Sequence, residues 1–442
     1  MTQRILFLAT TDLLFTATAQ AQWFGSLSLD NGYDDNMFRN YNASGSASTD
    51  VSLMFGYFPD EQNWAVNYSG SLSAFSEYPE RFYSVNSLGA SYVLSLDKAE
   101  RNTLTFLASG TARIDREDYM LYDYSQAMAS VSLKQYLGGS LPLMASYRAR
   151  YRQYPNFGEL SYLEHFATLG SMIFFETRTS IRAQVELGYK NYTSNFLMND
   201  EPAGGSGFVA DQTGLTLDGG GDGNGGGNGN TGGGNGSSGG GNGNTETGNG
   251  NGSGRMNLGG NGNGQAGMES SVDYLIYEEP STSQLSAWIN VGQSLGEQTG
   301  LSVRLRQRWN LTARGRAFVG GAIDFIGEEE LFDDPYSYES TELSLMLTQM
   351  LPWSMTLKAG ALYFLKNYEY PAIFDSPDTD TPMREDTRSG GWISLSRAFG
   401  GDWLLFSGLR ISFNYTYLSN ESNTEYYNYN SHAVGLGLST EF

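Results

Sequence analysis

The chain has 442 residues, no cysteine, two histidines and a formal charge of −22. Disulfide scaffolds, thiol nucleophiles and cysteine-ligated metals are thereby excluded, and 48 carboxylates against 26 lysines and arginines would repel a phosphate backbone, so no nucleic-acid partner is expected. Aromatic residues make up 14% of a chain that is only 39% hydrophobic, too many rings for a disordered polymer.

At the N-terminus Arg4 precedes an apolar stretch, residues 5–19, which is interrupted by Asp12 and ends in Ala19-Gln20-Ala21. A positive start, an apolar centre and a small-x-small ending describe a signal peptide over residues 1–21, leaving 22–442 as the mature protein. Beyond residue 22 no apolar run reaches the roughly 18 residues of a spanning helix, so a membrane role must come through strands.

Period-two alternation then recurs along the chain. Val51, Leu53, Phe55 and Tyr57 share one face, as do Trp64, Val66, Tyr68 and Leu72, while serine, glycine and asparagine fill the other. The pattern returns around Leu88, Leu104, Val131, Tyr147, Leu169, Val185, Ile289, Val303, Leu345, Ala361, Phe413 and Leu436. A soluble sandwich would alternate too, and the loops discriminate. Short connections at 59–63, 97–102, 137–141, 176–180, 296–300, 351–354 and 400–402 alternate with long polar ones at 34–44, 193–270, 327–340, 366–386 and 419–425. Short turns at one end and long loops at the other define an all-β, transmembrane, antiparallel up-and-down β-barrel. Pairing strands around the short turns gives about 16 strands; counting 272–277 and 316–326 gives about 18, and dropping an irregular early hairpin about 14. Aromatic residues near the turns (Tyr57, Phe58, Trp64, Trp353, Trp403) and toward the long loops (Tyr415, Tyr417) suit interfacial girdles.

The last strand, Ala433-Val434-Gly435-Leu436-Gly437-Leu438-Ser439-Thr440-Glu441-Phe442, resembles the C-terminal strand of Gram-negative outer-membrane porin-type barrels, which end in Phe after alternating apolar residues. Residues 414–420 and 426–429 likewise resemble the last hairpin of outer-membrane barrels, including some fused to repeat domains in polysaccharide or surface-lipoprotein export; no such repeat domain stands in this chain. The resemblance implies an outer-membrane location and reading of Phe442 by the barrel-assembly machinery.

From about residue 218 to 265 the chain is mostly Gly, Asn, Ser and Thr, so 193–270 is expected to be a long Gly/Asn-rich extracellular loop behaving as a flexible spacer. The tract lacks the regular Asp and apolar positions of calcium-binding nonapeptide repeats and the Lys-Ser/Thr of a phosphate loop.

The inward faces carry a basic stripe. Arg148, Arg150 and Arg152 alternate with Ala149 and Tyr151; Arg304, Arg306 and Arg308 alternate with Leu305 and Gln307; Arg182 and Lys190 lie between the two sets in sequence. Each such charge on the lipid face would cost roughly 2–4 kcal/mol near the midplane, which puts the stripe in the lumen. Two readings follow. The cations favour anions in a water-filled pore, or they pair with acids of an inward-folded loop, such as Glu328 to Glu330, Asp333 or Asp334, and hold it in place. A loop pinned to a basic wall would satisfy both. Outside, Asp34, Asp35, Asp375, Asp378 and Asp380 add to an acidic loop surface. His165 and its neighbour Glu164 point to opposite faces of a strand and cannot act as base and orienter, and His432 opens the last strand without a triad partner, so both read as interfacial histidines and no catalytic residue, metal site or cofactor is expected. The expectation is a passive pore for small hydrophilic solutes with an arginine-lined lumen. A plugged binding or structural barrel, and an export channel with a periplasmic partner, are the alternatives. Outer-membrane lipid and lipopolysaccharide are the expected surroundings, and monomer or homotrimer stays open.

Overall fold

The computed structural model describes residues 21–59, 62–138, 141–156, 158–193, 254–258, 270–274, 281–312, 318–320, 334–371, 382–403 and 406–442. The first nine strands are β1 (Ala21–Asp34), β2 (Ser46–Pro59), β3 (Trp64–Phe75), β4 (Tyr83–Ser95), β5 (Thr103–Asp115), β6 (Tyr124–Leu137), β7 (Leu141–Gln153), β8 (Tyr162–Phe174) and β9 (Thr179–Tyr192). After them come β10 (Gly254–Leu258), β11 (Ser270–Tyr274), β12 (Ser281–Ser294), β13 (Thr299–Asn310), β14 (Phe318–Gly320), β15 (Tyr338–Leu351), β16 (Met355–Pro371), β17 (Met383–Trp403), β18 (Phe406–Ser422) and β19 (Tyr429–Glu441).

Sixteen of these close into one barrel in which each strand pairs with its barrel neighbours in chain order and β1 meets β19. The pairings are antiparallel, from β1 with β2 round to β18 with β19. The two doubtful segments of the sequence contain strands, β11 and β14, but β11 pairs with β14 and with β10 in a separate three-stranded sheet, which is why the barrel has 16 members and not 18. The proposed signal peptide and most of the Gly/Asn-rich segment lie outside the described residues.

The seam is made at the ends of the chain. Gly25 and Phe442 exchange backbone hydrogen bonds, N to O 2.8 Å in one direction and 2.9 Å in the other. Glycine suits the position, because a Cβ on residue 25 would run into the Phe442 ring as it is placed here. Both described ends thus share the rim that carries the short connections 60–63, 96–102, 138–140, 175–178, 295–298, 352–354 and 404–405, while the longer connections leave the opposite rim. The tight β15–β16 turn puts Trp353 (φ 62) and Ser354 (φ 57) in the left-handed region, as a type I′ hairpin requires. One expected turn does not form. Residues 400–402 belong to β17, which runs through an irregularity between Gly400 and Trp403 to its end at Trp403.

The barrel wears its apolar side outward. Leu169 (54% exposed), Leu305 (47%) and Leu436 (59%) are bare in mid-strand, whereas the buried residues cluster at the long-connection rim, including Phe38, Tyr119, Tyr122, Tyr162, Tyr336 and Tyr427. A belt of exposed Leu, Ile, Val and Phe around a closed ladder is stable only in hydrocarbon, where no backbone polar group can be left over. Among the described residues no helix is long and apolar enough to cross a membrane, so the crossing is made by strands. The belt and the sorted connections are those of an outer-membrane barrel, with the short turns on the periplasmic side.

The two faces of one strand test this assignment. Leu345→Arg, on the outward face in mid-β15, should cost about 2–4 kcal/mol and lower the denaturant midpoint for unfolding in bilayers, whereas Ser344→Arg should leave it nearly unchanged. Equal effects would contradict the assignment.

Candidate functional site

Strand register assembles the inner wall row by row. Arg150 on β7 stands opposite Glu164 on β8, which stands opposite Lys190 on β9. Arg150 Nε donates to Glu164 Oε2 at 2.6 Å. Lys190 Nζ donates to Asp334 Oδ2 at 2.7 Å, and the Tyr192 hydroxyl donates to the same oxygen. Asp334 begins a short inward segment, residues 334–337, whose 3-10 turn Pro335–Ser337 is capped when Asp334 Oδ1 accepts the Tyr336 backbone N–H at 3.1 Å. Gln284 of β12 donates to the Pro335 carbonyl at 2.7 Å. Gly188 makes room for the tip of Tyr336, since a Cβ there would run into its hydroxyl. Burial pushes the Tyr336 phenol well above its ordinary value, with the Glu164 and Asp334 charges adding to the shift, so it stays neutral.

Beside this segment lies a cavity of about 440 Å³. Its walls carry six cations, Arg148, Arg150, Arg306, Arg308, Lys366 and Arg388, against two carboxylates, Glu164 and Glu186, with Phe166, Tyr336, Tyr338 and Phe364 between them. Arg148 stacks over Phe166 at 4.3 Å, and its Nε is buried without a hydrogen-bond partner. Arg306 donates to Ser286 Oγ at 3.0 Å and lies 3.7 Å from Glu186. Arg308 donates to the Tyr338 hydroxyl at 3.0 Å. Lys366, 1% exposed, sits over the Tyr338 and Phe364 rings at 4.7 and 5.2 Å. Rings thus hold the guanidinium planes while leaving the charge less cancelled than carboxylates would.

The other expected cations lie outside the cavity. Arg152 donates to Gln126 Oε1 at 3.0 and 2.8 Å and stacks over Tyr124 at 4.3 Å. Arg182 and Arg304 face each other across Asn290 in the register and lie 5.0 and 5.3 Å from the Trp288 ring. Asp334 is the described member of the expected loop acids, and it is a buried anchor (5% exposed), not part of an acidic outer surface. Glu328 to Glu330, Asp333, Asp375, Asp378 and Asp380 lie outside the described residues. Asp34 is partly withdrawn as well, accepting from Arg39 at 2.8 Å and from Ser431 at 2.8 Å. His165 shares a 2.6 Å hydrogen bond with the Tyr147 hydroxyl on the outer face, and His432 a 2.9 Å one with Tyr415, placing both histidines in the aromatic girdle.

Sequence reasoning missed Lys366 and Arg388 and looked for acidic partners only in loops. The signal was present: Lys366 has inward parity once Leu365 is outward, and Glu164 and Glu186 share the parity of Lys190 and Arg182.

No family model matches the chain, and no curated protein matches it in sequence. Among solved structures it is similar to OccAB1 of Acinetobacter baumannii (8% identity, 97% of this chain and 98% of that one, TM-score 0.47). It is also similar to OpdO of Pseudomonas aeruginosa (9%, 95% and 97%, TM-score 0.44), and to a loop-deletion mutant of OmpT, an outer membrane protein of Vibrio cholerae (9%, 96% and 99%, TM-score 0.38).

Asp334→Ala would remove the carboxylate that Lys190 and Tyr192 both donate to, a change that costs about 3–5 kcal/mol when one member of a buried pair is removed. The segment 334–337 should then leave the wall, and single-channel conductance should rise while the barrel's heat-modifiable gel mobility is kept. Unchanged conductance would show that the segment does not narrow the lumen.

Proposed function

We propose that the protein is a passive outer-membrane pore for small hydrophilic solutes, with a lumen that favours anions. The carrying observation is the excess of cations on the inner wall: six against two around the cavity, followed by the Arg182 and Arg304 pair at Trp288. A barrel of this strand number is wide enough to leave an aqueous path, and a low-dielectric wall lined with one sign of charge concentrates the opposite ion inside it. The overall charge of −22 acts against this at long range, but it is screened over about 8–10 Å at physiological salt, whereas wall cations meet the solute directly. The basic wall divides by role. Lys190 and Arg150, both paired with carboxylates, hold structure; Arg148, Arg182 and Arg304 serve the solute.

A plugged binding or structural barrel is the second reading, favoured by the docked segment 334–337 and by the buried aromatic packing at the outer rim.

In planar bilayers with a potassium chloride gradient, the purified barrel should conduct and give a reversal potential of anion-selective sign. Changing Arg148, Arg182 and Arg304 together to Glu should lower the anion-to-cation permeability ratio severalfold or invert it. A folded, inserted barrel with no conductance would favour the plugged reading, and a conducting one with cation selectivity would overturn the anion preference.

A further inference from the structure

Arg81 stands away from the basic wall and has a different kind of environment. It ends the short turn Pro79–Arg81 between β3 and β4 and is 1% exposed. Among the described residues no carboxylate lies within ion-pair distance of it, and the nearby Asp115 is held by Arg113 at 2.8 Å. In place of a counter-ion the guanidinium has four rings: Phe75 at 5.4 Å, Phe38 at 5.5 Å, Tyr119 at 5.6 Å and Tyr122 at 5.7 Å. Its Nε and Nη1 are buried without hydrogen-bond partners.

The rings come from separate stretches of chain. Phe38 belongs to the β1–β2 connection, Phe75 ends β3, and Tyr119 and Tyr122 belong to the β5–β6 connection. Further contacts tie the same connections together: Phe38 packs edge-on against Tyr78 at 4.9 Å, Arg116 donates to the Pro79 carbonyl at 2.9 Å, and Asn156, beyond β7, donates to the Met120 carbonyl at 2.8 Å. Arg81 is thus the centre of a set of ties among the connections at the outer ends of β1 to β6, away from the Arg148 and Arg304 sets.

The energetics make such a joint reversible. Quadrupolar attraction to several rings favours the closed box, but two buried nitrogens, with three N–H bonds between them and no acceptors, and a charge with no directly paired carboxylate oppose it, and both recover water when the connections part. A carboxylate partner would have removed that opposing term.

We propose that the aromatic box around Arg81 is a releasable latch that closes the outer mouth over β1 to β6 and directs solute entry to the basic side. The absence of cysteine gives a clean test. Met37, 7% exposed within the β1–β2 connection, is replaced by cysteine, and its rate of reaction with a membrane-impermeant maleimide is measured on the assembled barrel. Arg81→Ala and Arg81→Met in this background should each raise the rate by roughly tenfold or more, equivalent to ~1.4 kcal/mol, with heat-modifiable mobility retained. The methionine variant keeps most of the volume and removes the charge, so a rate equal to the parent's in that variant would overturn the latch in favour of ordinary packing. Where neither apolar variant assembles, Arg81→Lys decides: its shorter ammonium should also speed labelling, and an unchanged rate overturns the proposal. A parent cysteine that already reacts as fast as a fully exposed one would overturn it outright.

Discussion

The closed hydrogen-bonded ladder is the constraint from which the rest follows. In hydrocarbon each strand must give its N–H and C=O groups to neighbours, so the first and last strands have to find each other. Gly25 and Phe442 complete that ring, and the bare α-carbon of Gly25 accepts the Phe442 ring. Once the ladder closes, strand parity leaves each side chain one of two solvents, and a one-residue slip would move every charge of a strand to the wrong one. The outward Tyr147 and Tyr151 beside the inward Arg148, Arg150 and Arg152 show how little room that leaves.

Within the lumen, geometry distinguishes residues that look alike in sequence. Lys190 and Arg182 lie on the same inward face of β9, yet Lys190 is locked by Asp334 and Tyr192 while Arg182 rests on Trp288. The difference arises because the chain between β13 and β15 folds inward at residues 334–337, and Gly188 leaves room for the Tyr336 hydroxyl at the wall. Aromatic rings recur as the partners of cations, at Phe166, Tyr124, Trp288 and Tyr338, which orders the guanidinium groups without neutralising them.

The barrel was legible in sequence because membrane strands impose a strict period and sort their connections by length. The inward parity of the Arg148 and Arg304 sets followed from the outward parity of Tyr151 and Leu305. Local pattern could not say which strands face each other across the lumen or which connection turns inward. Segments 270–274 and 318–320 have strand character in either location, and only tertiary pairing put them in a separate sheet. The turn expected at 400–402 does not form, because glycines that usually mark a turn here occupy an irregularity within β17. Asp334 was one of several acids in its loop, and its buried position depends on Lys190, 144 residues earlier in the chain.

The central claim, that alternating side chains meet hydrocarbon and water, is tested most directly by site-directed spin labels placed one at a time along 301–308 of β13 in reconstituted membranes. Accessibility to oxygen should peak at 301, 303, 305 and 307, and accessibility to a water-soluble nickel chelate at 302, 304, 306 and 308. A profile without this period, or one in which both relaxants reach all positions alike, would contradict a lipid-embedded barrel with an aqueous, cation-lined interior.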